Sequence, residues 1–200
     1  MTLKINSNDI INRYLPSESV DFYLGETRKA NAKFNLFSSS MADDDLRLLI
    51  AESLIPLEKN WFDPVKPILD IGSGWGIPAV PLLLSGNGFD MTMLERAEKK
   101  AGFLSLLLHQ MIALDSQAKY NVVNLSLESY RPADKYGCIV MRQVSLDDRL
   151  WRHIKRISLP DAQLIYFGSS PGASIKSSIE TLSYMIDDFA ERKIVKIVIL

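Results

Sequence analysis

Three glycines within five residues, Gly72, Gly74 and Gly76, follow the apolar run Ile68-Leu69-Asp70-Ile71 and precede Ile77-Pro78-Ala79-Val80. A strand that enters such a loop and leaves as a helix presents backbone N–H groups, with no Cβ in the way, to whatever sits above it. The spacing is Gly-x-Gly-x-Gly. The dinucleotide fingerprint wants its third glycine one residue later, and the shorter form, with Asp70 ahead of it, is the form used for S-adenosylmethionine. Such a loop requires an acid about 20 residues further on, at the end of the next strand, to accept hydrogen bonds from ribose hydroxyls. Glu95 stands there. The expected cofactor-binding residues are therefore Asp70, Gly72, Ser73, Gly74, Gly76, Pro78 and Glu95. Plainer roles compete with these: a tight strand-to-helix turn for the glycines, a helix-starting acid for Glu95, and an acceptor of loop N–H groups for Asp70.

Positioning these residues requires a sheet. Apolar runs at 89–94, 119–124, 136–141 and 163–167 read as strands, with helices at 96–113 and 148–157 between them. Strands alternating with helices predict an α/β, Rossmann-like, doubly wound parallel sheet whose ligands sit at the carboxyl ends of the strands. Pro78 and Pro81 suit the first turn of the helix after the loop, where no intrahelical N–H is lost. Residues 9–60 read mostly as helix, with Ser17 as an N-cap, an interruption near 37–40 and a second helix over 43–57; residues 63–67 form a helix-stopping connector. The division expected is a helical N-terminal cap over 1–64 on a core over 65–200. Residues 175–189 fit either a helix face or a strand, and 194–200 read as a strand.

A chain of 200 residues with 47% hydrophobic and 24% charged residues can bury one sizeable core. A net charge of -1 gives no global attraction to phosphate, so contact with nucleic acid requires a local basic patch. Arg149, Arg152, Lys155 and Arg156, with Trp151 among them, form one candidate, for phosphate contacts and base stacking; a solvated helix face is the alternative. The single cysteine, Cys138, excludes an intrachain disulfide and reads as a buried strand residue of a reducing compartment. His109 and His153 lack a ligand array, so no metal is expected. Without a signal-like N-terminus or an apolar run near the roughly 20 residues that span a bilayer, the chain is expected to be cytoplasmic, with no membrane partner.

Further blocks extend the pattern in order: Lys33-Phe34-Asn35-Leu36, Glu52-Ser53-Leu54, the stretch from Leu69 through the glycine loop to Leu82 with both prolines, Leu94-Glu95 followed by Lys99-Lys100 and Phe103-Leu104, Glu128, and Met141-Arg142-Gln143. With these blocks the sequence resembles the bacterial methyltransferases that act on guanine N7 of 16S ribosomal RNA, the glucose-inhibited division protein B family, over residues 23–168. The resemblance implies S-adenosyl-L-methionine as cofactor, small-subunit ribosomal RNA as partner and a monomeric enzyme. It places Leu127 and Glu128 near the adenine and Arg142 at the ligand edge, where its planar fork suits guanine O6 or a phosphate. Asn35 and Ser53 join Arg142 as the expected catalytic residues from the helical cap. Guanine N7 is nucleophilic without losing a proton, so such a site needs alignment and no general base.

The sequence departs from the family where Leu49 replaces a histidine, Glu52 an aspartate, Ser126 an arginine, Gln143 an alanine and Phe167 a lysine. The departures fall on the acceptor side. They leave open the same cofactor with a small-molecule or other RNA acceptor, and a nonenzymatic binding module; a nicotinamide oxidoreductase is disfavoured by the glycine spacing.

Overall fold

The computed structural model describes residues 2–112, 119–168, 175 and 177–200. Eight strands form one sheet flanked by six helices among these residues. In chain order they are β1 (Leu3–Ile5), α1 (Ser7–Tyr14), α2 (Ser17–Phe34), α3 (Asp43–Glu58), β2 (Ile68–Ile71), α4 (Ala79–Leu84), β3 (Asp90–Leu94), α5 (Glu98–Ile112), β4 (Lys119–Val123), β5 (Tyr136–Arg142), α6 (Asp148–Ile157), β6 (Ser158–Phe167), β7 (Ile179–Ile186) and β8 (Arg192–Val198).

Local chemistry sets the helix ends. The Asn6 side chain accepts from the Asp9 N–H at the start of α1, and that of Asp147 from the Leu150 N–H at the start of α6. Three aspartates, Asp43, Asp44 and Asp45, fill the first turn of α3, where the helix dipole favours negative charge, and the Asp45 carboxylate accepts from the Ala42 N–H. The cap expected at Ser17 differs: Pro16 holds the cap position without a side-chain bond, and Ser17 is the first helical residue. Pro81 lies in the first turn of α4, whereas Pro78 falls just ahead of the helix, buried, after a cis peptide.

The sheet order is β1-β7-β8-β6-β5-β2-β3-β4. From β2 the chain winds outward through β3 and β4, then returns to the other side of β2 with β5 and β6, all parallel. The reversal opens a crevice at the carboxyl ends of β2 and β5, the place where such sheets bind ligands. Alternate residues of the central strands feed separate cores: Ile68, Met93 and Val140 pack with α1 to α5, and Leu69, Ile139 and Met141 with α6.

Two features differ from a purely parallel sheet. Residues 179–198 fold as a hairpin, with β8 antiparallel to both β6 and β7, which resolves the helix-or-strand ambiguity in favour of the Thr-, Ile- and Tyr-rich strand reading. Leu3–Ile5 then adds a parallel edge strand to β7, with Leu3 opposite Tyr184, ahead of the N-terminal helices. Residue 113 of the helix expected over 96–113, and residue 176 of the segment 175–189, lie outside the described residues.

Candidate active site

The glycine loop is tied down at its start: the Gly72 and Ser73 N–H groups both donate to the Leu94 carbonyl at the end of β3, at 2.8 and 3.2 Å. Gly72 is required twice over. Its φ is +76°, and a Cβ there would lie 2.7 Å from Val144 Cγ2, so the turn after β5 can settle on the loop only because this residue has no side chain. At Gly76, with φ +105°, a Cβ would lie 2.4 Å from Val80 Cγ2 in the next helix.

Glu95 follows β3 directly and is buried. One carboxylate oxygen accepts from the Gly74 N–H and the other from the Ala97 N–H, each at 2.8 Å. The residue thus starts the next helix and braces the glycine loop, while each oxygen keeps a further lone pair for a ligand. Its helix-starting role is in place, beside a bracing bond to the loop.

Asp70 lies beneath the loop, 1% exposed, and neither carboxylate oxygen has a hydrogen-bond partner among the described residues. The Ser73 hydroxyl donates to the Asp70 main-chain oxygen at 3.2 Å. Burial pushes the Asp70 carboxyl up to about 8; the nearby Ser73 hydroxyl opposes this and the Glu95 charge adds to it. Unpaired buried carboxylates are rare, and ionisable groups perturbed by burial gather at functional sites.

Two adjoining cavities open above these residues. One, of about 320 Å³, is walled by Glu95, Leu127, Glu128 and Leu150; the other, of about 410 Å³, by Phe37, Leu49, Gly74, Trp75, Lys100 and Arg142. Gly72, Glu95, Gln143 and Val144 belong to both walls and form the seam between them. Glu128 is held below the ordinary carboxylate range by a backbone N–H and the Ser126 hydroxyl, helped by the charges of Arg149 and His153. Trp75 is positioned by Tyr23, whose hydroxyl donates to its carbonyl at 3.0 Å and whose ring stacks on the indole at 5.8 Å.

Arg142 reaches the larger cavity from the end of β5 but is already engaged. It donates to Glu52 of α3, and the same buried carboxylate receives the Tyr184 hydroxyl of β7 and, at 3.3 Å, the Arg192 guanidinium of β8. Burial lowers the Arg142 guanidinium to about 10, with Tyr184 opposing and Arg192 adding to the effect. Glu52, Tyr184 and Arg192 were absent from the expected site, and only the acid at position 52 carried a signal, through its block.

Five expected site residues line neither cavity: Asp70 and Gly76 belong to the loop segment beneath them, and Asn35, Ser53 and Pro78 lie elsewhere. Asn35 is the exposed C-cap of α2 in the left-handed region, next to the wall residues Leu36 and Phe37. Ser53 is buried within α3, its hydroxyl donating to the Leu49 carbonyl one turn back at 2.7 Å. Pro78 is buried behind the loop. On α6, Trp151 packs in the core and has no face free for stacking, while Arg149, Arg152, Lys155 and Arg156 are exposed. Among the described residues no group of three or more His, Cys, Asp or Glu side chains is placed to hold a metal, and no helix is long and apolar enough to cross a membrane.

Residues 17–186 match the family described as GidB, rRNA small subunit methyltransferase G. The ribosomal RNA small subunit methyltransferases G of Borrelia hermsii and Borrelia turicatae are 31% and 29% identical over 192 residues, covering 88% of this chain and 88% of each relative. Among solved structures, magnesium protoporphyrin IX methyltransferase from Synechocystis with bound S-adenosylhomocysteine superposes with a TM-score of 0.58, at 14% identity over 96% of this chain and 100% of that one. A putative O-methyltransferase from Klebsiella pneumoniae gives 0.57 at 16% identity over 96% and 95%. These last two likenesses concern the fold.

Proposed function

The chain belongs to the GidB family of small-subunit ribosomal RNA methyltransferases, and on that premise we propose that it transfers a methyl group to N7 of a guanine in 16S ribosomal RNA, in the cytoplasm. S-adenosyl-L-methionine is the methyl donor, supplying an electrophilic methyl group.

The residues present fit this cofactor. The observation that carries the reading is the Asp70 carboxylate, buried and unpartnered under a glycine loop that Glu95 braces at the seam of two cavities. Glu95 offers its remaining lone pairs to the ribose hydroxyls, and Leu127 and Glu128 wall the side that suits the adenine. Gly72, Ser73, Gly74 and Gly76 shape the loop toward the methionyl portion, with the buried Asp70 carboxyl beneath it. Arg142 and Lys100 lie in the wall of the second cavity, which suits an anionic acceptor such as a nucleotide of RNA. The Arg142 and Arg192 guanidiniums share one carboxylate, so the cluster keeps surplus positive charge for a phosphate. No base is needed, because N7 reacts through an unprotonated lone pair; what the protein contributes is alignment and exclusion of water.

Pro78 acts from behind the loop, by shaping its exit. Asn35 and Ser53 act through the backbone, by ending α2 beside Phe37 and by fixing α3 beneath Leu49.

The test is isothermal titration with S-adenosylhomocysteine followed by labelled methyl transfer to small ribosomal subunits that lack the modification. Binding with incorporation at a single guanine N7 is expected. Absence of binding, or label at another atom, overturns the reading.

A further inference from the structure

Five non-glycine residues have positive φ among the described residues, and four are Asn or Asp: Asn35, Asn60, Asp161 and Asp187. Those side chains tolerate the left-handed region because they bond locally to the backbone. The fifth is Gln143, with φ 53°. A glutamine has no such compensation, so the surroundings hold it there, and outliers of this kind gather at functional sites.

Its place is specific. Gln143 follows β5 at the carboxyl end of the strand beside β2, is exposed, and belongs to the walls of both cavities. The next residue, Val144, fills the space a Cβ on Gly72 would need, which clamps the turn onto the glycine loop. The Gln143 amide has no hydrogen-bond partner among the described residues, while the neighbouring Arg142 is committed to Glu52. The seam therefore presents one uncommitted donor and one uncommitted acceptor from a single side chain.

We propose that Gln143 is the specificity-determining residue for the acceptor base, reading guanine on its Watson–Crick edge: the amide N–H donates to O6 and the amide oxygen accepts from N1–H. This rests on the N7 reading above. Arginine, the commonest guanine reader, bonds to O6 and N7 together, which would occupy the lone pair that must take the methyl. An amide on O6 and N1–H discriminates guanine from the opposite side of O6 and leaves N7 free. Adenine, with a donor at C6 and an acceptor at N1, presents the reverse pattern, and the exposed amide can turn to meet it only by exchanging its two ends. The clamped turn, with Val144 against Gly72, fixes the backbone from which the side chain extends.

The experiment uses small subunits reconstituted with 16S RNA that carries guanosine, inosine or 2-aminopurine riboside at the methylated position. Inosine keeps O6 and N1–H; 2-aminopurine lacks both and keeps N7. The wild-type enzyme should methylate inosine as well as guanosine and 2-aminopurine about tenfold or more slowly, as a site built on hydrogen bonds rejects an analogue lacking them. Gln143→Ala should bring guanosine and inosine down to the level of 2-aminopurine. Gln143→Glu, whose carboxylate accepts from N1–H and the 2-amino group, should methylate guanosine faster than inosine. A residue that held only the cofactor or the fold would move all three acceptors equally, and that result, or an unchanged guanosine-to-2-aminopurine ratio in Gln143→Ala, overturns the inference. If wild-type enzyme places no methyl on guanosine N7 in any subunit, the reading of the function fails and the inference with it; if it does so with unaltered ratios, the inference fails alone.

Discussion

The two sides of the cleft are held together in different ways. On the cradle side, Asp70, the glycine loop and Glu95 lie within one strand-loop-helix-strand segment, and their contacts are largely to backbone: Gly74 and Ala97 N–H groups on Glu95, Gly72 and Ser73 N–H groups on Leu94. On the side proposed for the acceptor, a single carboxylate from α3 gathers Arg142, Tyr184 and Arg192, which are 90, 132 and 140 residues away. The cradle depends on local backbone shape. The acceptor side depends on side-chain charge balance among elements that only the finished sheet brings together, and so its failure should be global where that of the cradle is local.

The largest effect should come from Glu52. Glu52→Ala leaves Arg142 buried without its counter-charge and Tyr184 without its acceptor, and losing one partner of a buried pair costs about 3–5 kcal/mol; urea unfolding should show the lower midpoint. Replacing Glu52 and Arg142 together by apolar residues should restore most of that stability without restoring methyl transfer. Recovery of both would place Arg142 outside the site.

Glu95→Ala should act on the ligand instead. Two charge-assisted hydroxyl contacts at roughly 1.5–3 kcal/mol each set the scale, so S-adenosylhomocysteine affinity by calorimetry should fall about a hundredfold or more. A change under threefold would leave the carboxylate only its bracing bonds to Gly74 and Ala97. Gly72→Ala comes next: strain at positive φ and contact with Val144 should together cost about 2 kcal/mol, read as a lower melting temperature. A compensating Val144→Ala should recover part of it.

Asp70→Asn should show itself chiefly through its pH dependence. With its carboxyl pushed up to about 8, the folded protein holds a proton that the unfolded chain releases near pH 4. Stability from this group is complete below pH 4, falls as pH rises from about 4 to about 8, and levels off above. The asparagine variant should lack that slope in unfolding experiments from pH 5 to 9. An unchanged slope would mean that the carboxyl is not the group responsible.

The contrast between the two sides also explains what the sequence discloses. The loop, Glu95 and the strands around them follow from glycine spacing, apolar runs and one fixed offset, all local properties. The hub on Glu52 is invisible in that sense, because the partners of a buried charge are chosen by topology. Tyr184 sits in the segment whose strand content competed with a helix-like spacing of Ile179, Leu182 and Ile186, Arg192 lies just beyond it, and β1 is three residues long with its partner at the far end of the chain. Ser53 and Asn35 look like site residues in their blocks, yet one spends its hydroxyl on its own helix and the other closes one. Trp151, placed among arginines in sequence, turns inward because α6 needs an apolar face against the sheet.

The most direct test of the central claim is transfer of labelled methyl from S-adenosyl-L-methionine to small ribosomal subunits lacking the modification, with the product mapped by chemical cleavage at 7-methylguanosine. The account predicts about one methyl per 16S RNA at a single guanine N7, abolished in Glu95→Ala. Binding of the cofactor with no methyl reaching any guanine would contradict it.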